Sequence, residues 1–240
     1  LASISFVDTY VGEPLDGLDK SKYADNTIIV LWGDHGWHLG EKQHWRKQAL
    51  WEDTTHVPFI VSYPKTIAEN SICEYPVSFI DIFPTLIDLA GIPKKEDLDG
   101  KSLKELLINP SMEWNRPVLS TYGKGNHAVR SGKWRYIQYR DGSSELYDNQ
   151  NDPNEWYNLS DKEDSQEIVK RLKKVIPVKE MLSDYLLFSS CFLEKCILQV
   201  PHTWCPLFFF EQRILQAPHT RAPSVLGAKE AIEGKPSSES

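Results

Sequence analysis

The residues best suited to chemistry are clustered between Gly33 and Lys47. Asp34 offers two hard oxygens of the kind that bind Ca²⁺ or Mg²⁺. His35, next to it, can bind a metal through one ring nitrogen or hydrogen-bond to an anion. Gly33 and Gly36 flank the pair and permit tight backbone geometry. A short loop further on, Lys47 lies beside Arg46 and close to His44, which places cationic donors near the carboxylate. A carboxylate-held metal with a separate ammonium group is what a tetrahedral oxyanion requires: the metal takes one oxygen and the ammonium another. Trp37 and Trp45 are placed to wall such a cavity and exclude water. Blander uses of the same residues stay open: a plain loop for Asp34-His35, core packing for the indoles, a solvated charge for Arg46.

Elements on either side must hold these groups. The apolar run Thr27 to Trp32 reads as a buried strand ending at Gly33, and ligands of open α/β sheets gather at the carboxyl ends of strands. Before it, Ala2 to Leu18 has Ile4, Val7, Val11, Leu15 and Leu18 at helical spacing, with Pro14 predicting a kink or an early end. Pro58 to Tyr63 reads as a second strand of the same sheet. Ser78 to Ala90 reads as a helix whose regular part starts near Ile82 or Phe83, because Pro84 fits only a first turn, and Gly91 is a suitable stop. Ser102 to Leu107 predicts a short helix. Helices alternating with apolar strands indicate an α/β layer.

The pattern changes after Arg116. Short strand-like runs at Val118 to Tyr122, Ala128 to Arg130, Trp134 to Tyr139 and Ser144 to Tyr147, separated by Gly-containing turns, predict a small antiparallel sheet. Asp161 to Val175 predicts a charged helix with Ile168, Leu172 and Val175 inside. These changes divide the chain into an α/β part (1–115), a small antiparallel α+β subdomain (116–177) and an atypical tail (178–240), expected to be poorly ordered. The tail repeats Ile197-Leu198-Gln199-Val200-Pro201-His202-Thr203 as Ile214-Leu215-Gln216-Ala217-Pro218-His219-Thr220, and two copies are too few for a solenoid.

The net charge of -7 over 240 residues disfavours a nucleic-acid partner, whose phosphates call for a basic surface. It leaves open an anionic small substrate, which needs only a few local cations. The uncharged run from Ile197 to Phe210 is too short to span a bilayer and contains Pro201 and Pro206. Cys73, Cys191, Cys196 and Cys205 match neither a zinc pattern nor a disulfide framework. The chain starts at Leu1, and Ala2 to Leu18 carries Asp8, Glu13 and Asp16 where a signal peptide would be apolar, so the chain is expected to begin in mid-domain.

Asp34-His35-Gly36-Trp37-His38-Leu39-Gly40-Glu41, then Trp45-x-Lys47, then Thr55-His56-Val57-Pro58, resembles the C-terminal half of a type I sulfatase, with closest likeness to the iduronate-2-sulfatase group. Collinear with these are Asp81-Ile82-Phe83-Pro84-Thr85-Leu86, Leu98-Asp99-Gly100-Lys101-Ser102-Leu103 and Glu145-Leu146-Tyr147-Asp148, so the likeness runs from about Ala2 to Pro177. The resemblance implies an alkaline-phosphatase-like α/β sandwich and hydrolysis of a sulfate ester by a formylglycine nucleophile beside one Ca²⁺ ion. It places Asp34 and His35 on metal-ligand positions and Lys47 on a sulfate-contacting position, with Trp37 lining the pocket. His38 and His44 fall on positions that vary among relatives, and both are candidate sulfate contacts. It further implies a sulfated carbohydrate substrate and an exported enzyme. One departure is decisive: no C/S-x-P-x-R motif is present, and the family's paired aspartates are absent too. Both are expected upstream of Leu1, and this chain alone is expected to be inactive. Two other readings remain open, a phosphodiesterase or phosphonate hydrolase of the same superfamily and a non-catalytic module that binds sulfated glycan or a partner.

Overall fold

A computed structural model describes residues 2–178 and the backbone of a strand at 211–216. The first helix, α1 (Ala2–Asp19), runs through Pro14 without ending. Proline removes the bond its N–H would make to the carbonyl four residues earlier. On a helix with no buried residue, water can satisfy that carbonyl. The amphipathic pattern does not produce a covered face: Ile4, Phe6, Val7 and Tyr10 are exposed, and Val11, Leu15 and Leu18 are only partly buried.

Strands β1 (Ile29–Trp32) and β4 (Phe59–Ser62) pair antiparallel, with Trp32 opposite Phe59. They join β5 (Ile72–Ser78) and β10 (Glu211–Gln216) in a sheet of order β1-β4-β10-β5. β1 was expected to be buried, yet Ile29, Val30 and Leu31 are half-buried and Trp32 is exposed. The reason is position: β1 is the edge strand of the described sheet. β4 lies inside it and buries Phe59 and Val61.

β5 was not expected, because Pro76 interrupts its apolar run and proline cannot donate to a ladder. The sheet accommodates it with an irregularity: Val77 pairs Gln212 and Cys73 pairs Ile214, so the one-to-one register breaks across Pro76. Within the tail, Glu211–Gln216 pairs parallel to β4 and antiparallel to β5. The first copy of the tail repeat and Cys191, Cys196 and Cys205 lie outside the described residues.

After β5, a 3₁₀ turn (Phe79–Asp81) leads into α3 (Ile82–Leu89). Ser78 and Asp81 form a capping box, and Asp81 also accepts from Lys101 N and ion-pairs with Arg116 at 2.6 Å. Pro84 falls in the first turn of α3, and Gly91 follows the helix with φ +67°, both as the sequence predicts. α4 (Lys104–Ile108) buries Leu106 and Leu107 against Phe59, Val61, Cys73 and Leu103.

The predicted antiparallel unit forms with small boundary shifts. β6 (Val118–Thr121), β7 (His127–Ser131), β8 (Trp134–Gln138) and β9 (Ser144–Asp148) make a meander in that order. α5 (Gln166–Lys173) seats Leu172 on Val129, Tyr136 and Leu146. A further cluster joins this sheet to the chemistry-bearing segment: Leu50 is buried with Ala128, Ile137 and Tyr147, and Trp51 packs against it. Burying Leu50 is worth about 2 kcal/mol.

Candidate functional site

Gly33 to Thr55 closes on itself in front of the antiparallel sheet. β2 (His38–Leu39) and β3 (Trp45–Arg46) form a two-stranded hairpin across a 3₁₀ turn at Glu41–Gln43. α2 (Glu52–Thr55) follows. Gly33 N bonds to Pro58 O at 3.0 Å and Gly36 N to Thr54 O at 2.8 Å, so the start of the segment is tied to its end. At Gly36 the approach is closer than any side chain allows: a Cβ there would lie 1.8 Å from the Asp53 carbonyl oxygen.

That closure brings Asp34, His35 and Lys47 together. His35 Nδ1 lies 2.8 Å from the Gly36 carbonyl oxygen. A carbonyl only accepts, so Nδ1 carries the proton and Nε2 the lone pair. Nε2 faces Lys47 Nζ at 2.8 Å and Asp34 Oδ2 at 3.2 Å. Asp34 is 78% exposed and His35 only 14%, so a firmly held imidazole stands under an open carboxylate. The Trp37 ring lies 6.1 Å from that of His35 and is itself half exposed.

His38 and His44 do not join this group. His38 is fully buried, and its ring packs edge-on against His44 at 5.2 Å and Trp51 at 5.7 Å. The alternation of a strand explains the split, because neighbouring residues of β2 and its approach point to opposite faces. Trp37 is exposed, His38 buried and Leu39 exposed. Burial pushes the His38 imidazole below its ordinary value, against the pull of Asp53, so it is neutral at pH 7.

Behind the site lies a charge network with no counterpart in the sequence reading. Glu52, in α2, ion-pairs with Arg135 of β8 and lies 3.4 Å from Arg130 Nε of β7. Arg135 also pairs with Glu155 at 2.7 Å and donates to Leu50 O at 3.0 Å. Glu155 accepts from Glu52 N and Asn149 Nδ2, both at 2.9 Å. Burial opposes ionisation of Glu52, but Arg135 and Arg130 overcome it and bring its pKa down to about 2. Glu145 accepts from Trp51 Nε1 at 2.7 Å and from Tyr147 Oη at 2.8 Å, and Lys42 donates to Tyr147 Oη and the Glu155 carbonyl. The contacts of Arg135 with Leu50 and Glu52 span over 80 residues of sequence. The two arginines, mid-strand in β7 and β8, were the only hint of them.

Residues 40–181 match the family described as N-sulphoglucosamine sulphohydrolase, C-terminal. The chain belongs to the sulfatase family. It is 42% identical over 177 residues to a sulfatase of Formosa agariphila, covering 74% of this chain and 35% of that protein. It is 30% identical over 193 residues to an N-acetylglucosamine-6-O-sulfatase of Bacteroides thetaiotaomicron, covering 75% of this chain and 34% of that one. Among solved structures it resembles BT4656, determined in complex with its substrate D-glucosamine-2-N,6-O-disulfate, at a TM-score of 0.63 and 29% identity, over 70% of this chain and 37% of that one. The sulfatase chain therefore spans about a third of the length of the curated relatives it matches. Its fold is the C-terminal part of the alkaline-phosphatase-like sandwich, with a small antiparallel sheet. Among the described residues, no helix is long and apolar enough to cross a membrane.

Proposed function

We propose that this chain is the C-terminal part of an enzyme that hydrolyses sulfate esters of sulfated glycans, and that it carries the distal half of the active site. Residues 1–115 would belong to the catalytic layer and 116–177 to the small subdomain that backs it. The observation that carries the reading is the meeting of Asp34, His35 and Lys47 at one imidazole nitrogen, with Nε2 3.2 Å from Asp34 Oδ2 and 2.8 Å from Lys47 Nζ.

Two electron-pair donors this close are stable only with positive charge beside them. Lys47 supplies it here, and the same donors suit a divalent cation. Asp34 and His35 would hold the calcium ion of the family, which when bound draws negative charge from the sulfate group. Two donors are a minor share of the about six to eight that calcium takes, so the remainder would come from the rest of the enzyme, as would the formylglycine nucleophile.

Within this chain, Lys47 donates to a sulfate oxygen and stabilises the charge that grows there during cleavage. The Gly36 carbonyl keeps the His35 tautomer fixed, so its lone pair always faces the site. Trp37 forms one wall, and the exposed indoles of Trp37 and Trp45 offer flat apolar faces of the kind that pack on sugar rings. The run from Trp37 to Glu41 and the spacing to Lys47 favour a sulfatase over a phosphodiesterase or phosphonate hydrolase.

Two assays test the reading. The chain alone, given a sulfated disaccharide, should release sulfate no faster than the buffer. In the full-length enzyme that carries it, Lys47→Ala should lower kcat/KM about 10²- to 10³-fold. Turnover by the isolated chain, or an unchanged Lys47→Ala enzyme, would overturn it.

A further inference from the structure

His38, Glu41 and Asp53 form a group separate from the Asp34 site. One ligand-capable atom from each lies within 4.8 Å of the others. His38 Nδ1 points at Asp53 Oδ2 from 3.7 Å, beyond hydrogen-bond distance. The imidazole is fully buried, yet neither of its nitrogens makes a hydrogen bond among the described residues. The same holds for the buried Nε2 of His44, whose ring touches that of His38. A buried polar atom without a partner costs about 1–3 kcal/mol, so the His38 nitrogen that faces Asp53 calls for a partner.

The occupant's chemistry follows from the donors. Glu41 and Asp53 are exposed carboxylates that bring two negative charges to one neutral nitrogen. Both also line a cavity of about 360 Å³ opening beside the hairpin, with Gly40, Gln43 and Trp156 on its walls. Among the described residues, the ammonium near the group, that of Lys42, is engaged with Tyr147 and the Glu155 carbonyl. A water molecule could satisfy one imidazole nitrogen, whereas a cation would also draw in the two carboxylates.

We propose that His38, Glu41 and Asp53 bind a divalent cation of the zinc class, distinct from the ion expected at Asp34 and His35. One imidazole nitrogen with two carboxylate oxygens suits zinc, cobalt or manganese better than calcium, which prefers oxygen alone. In tetrahedral zinc sites neighbouring ligands stand roughly 3.4 Å apart, a contraction that rotation of the two exposed carboxylates provides. Glu41 gives one oxygen to Leu39 N, which leaves the other for the ion. The ion would tie the β2–β3 hairpin to α2, and so fix the distance between Asp34, before the hairpin, and Lys47, after it. Its role is to position the site and does not depend on the sulfatase reading.

Cobalt titration of the full 240-residue chain tests this, because Co²⁺ substitutes for zinc and reports its ligands by visible absorption. One equivalent should bind with d–d bands and no thiolate charge-transfer band, and added Zn²⁺ should displace it. Asp53→Asn, at an exposed position that folding tolerates, should weaken binding about 100-fold, and Glu41→Gln should weaken it about 10-fold. Asp34→Asn should leave it unchanged. Absence of saturable binding at millimolar Co²⁺, a thiolate band, or equal binding by Asp53→Asn would overturn the proposal. Equal weakening by Asp34→Asn would do so as well, by assigning the ion to the other site.

Discussion

The front and back of the Gly33–Thr55 segment use the same residue types to opposite ends. At the front, Asp34, His35 and Lys47 meet under solvent, and the carboxylate is left open. At the back, Glu52, Arg130, Arg135 and Glu155 meet out of solvent and satisfy one another. Burying a charge is costly unless each partner is present, so the back network had to be completed within the chain. The front carries no such demand, because water or a ligand can complete it. The back therefore determines stability, and the front is available for chemistry.

If this division holds, substitutions at the back should be felt in folding first. Glu52→Gln leaves two buried guanidiniums short of a countercharge and should cost about 3–5 kcal/mol in urea unfolding. Acid should have a related effect on the natural chain. The folded-state pKa of Glu52 is about 2 against an ordinary 4.5, so its contribution is present above pH 4.5 and lost as pH falls toward 2. That is on the order of 3 kcal/mol. Glu155, held above its ordinary range by burial despite Arg135, protonates first in the folded state and offsets part of the loss. His56, 3.5 Å from Glu52, adds to the pull on its carboxylate. A stability profile of Glu52→Gln should be flatter over this range than that of the natural chain.

At the front, Lys47→Ala should cost about 3–4 kcal/mol of transition-state stabilisation in the full-length enzyme, with the unfolding midpoint unchanged. A large midpoint shift would erase the distinction between the two faces. Gly36→Ala probes the seam between them. Its methyl group would meet the Asp53 carbonyl, and separating the two strands of backbone should cost about 1–3 kcal/mol. Trp37→Ala should have the smallest effect on folding, under about 0.5 kcal/mol, because its ring is half exposed. Its effect should show in KM for a sulfated sugar.

The sequence made local features legible and long-range ones not. β4, α3 and the meander from β6 to β9 are visible in residue periodicity, in Pro84 and Gly91, and in the glycine-bearing turns. β5 was hidden because Pro76 breaks its pattern, and the sheet tolerates this through a break in the register between β5 and β10. Asp34, His35 and Lys47 could be linked because they lie within one loop. That His38 turns away from them depends on which side of a two-residue strand it occupies, and composition does not encode this. The pairing of Glu52 with Arg135, 83 residues on, was visible only once the chain had folded.

The first helix has a practical consequence. The Phe6 and Tyr10 rings pack tilted, 4.6 Å apart, open to water, and Ile4 and Val7 are exposed as well, on a helix that also carries Asp8, Glu13 and Asp16. Exposed apolar side chains grouped in this way bind other apolar surfaces. The isolated chain should adsorb to hydrophobic resins, bind fluorescent apolar dyes and form micelle-like aggregates as its concentration rises.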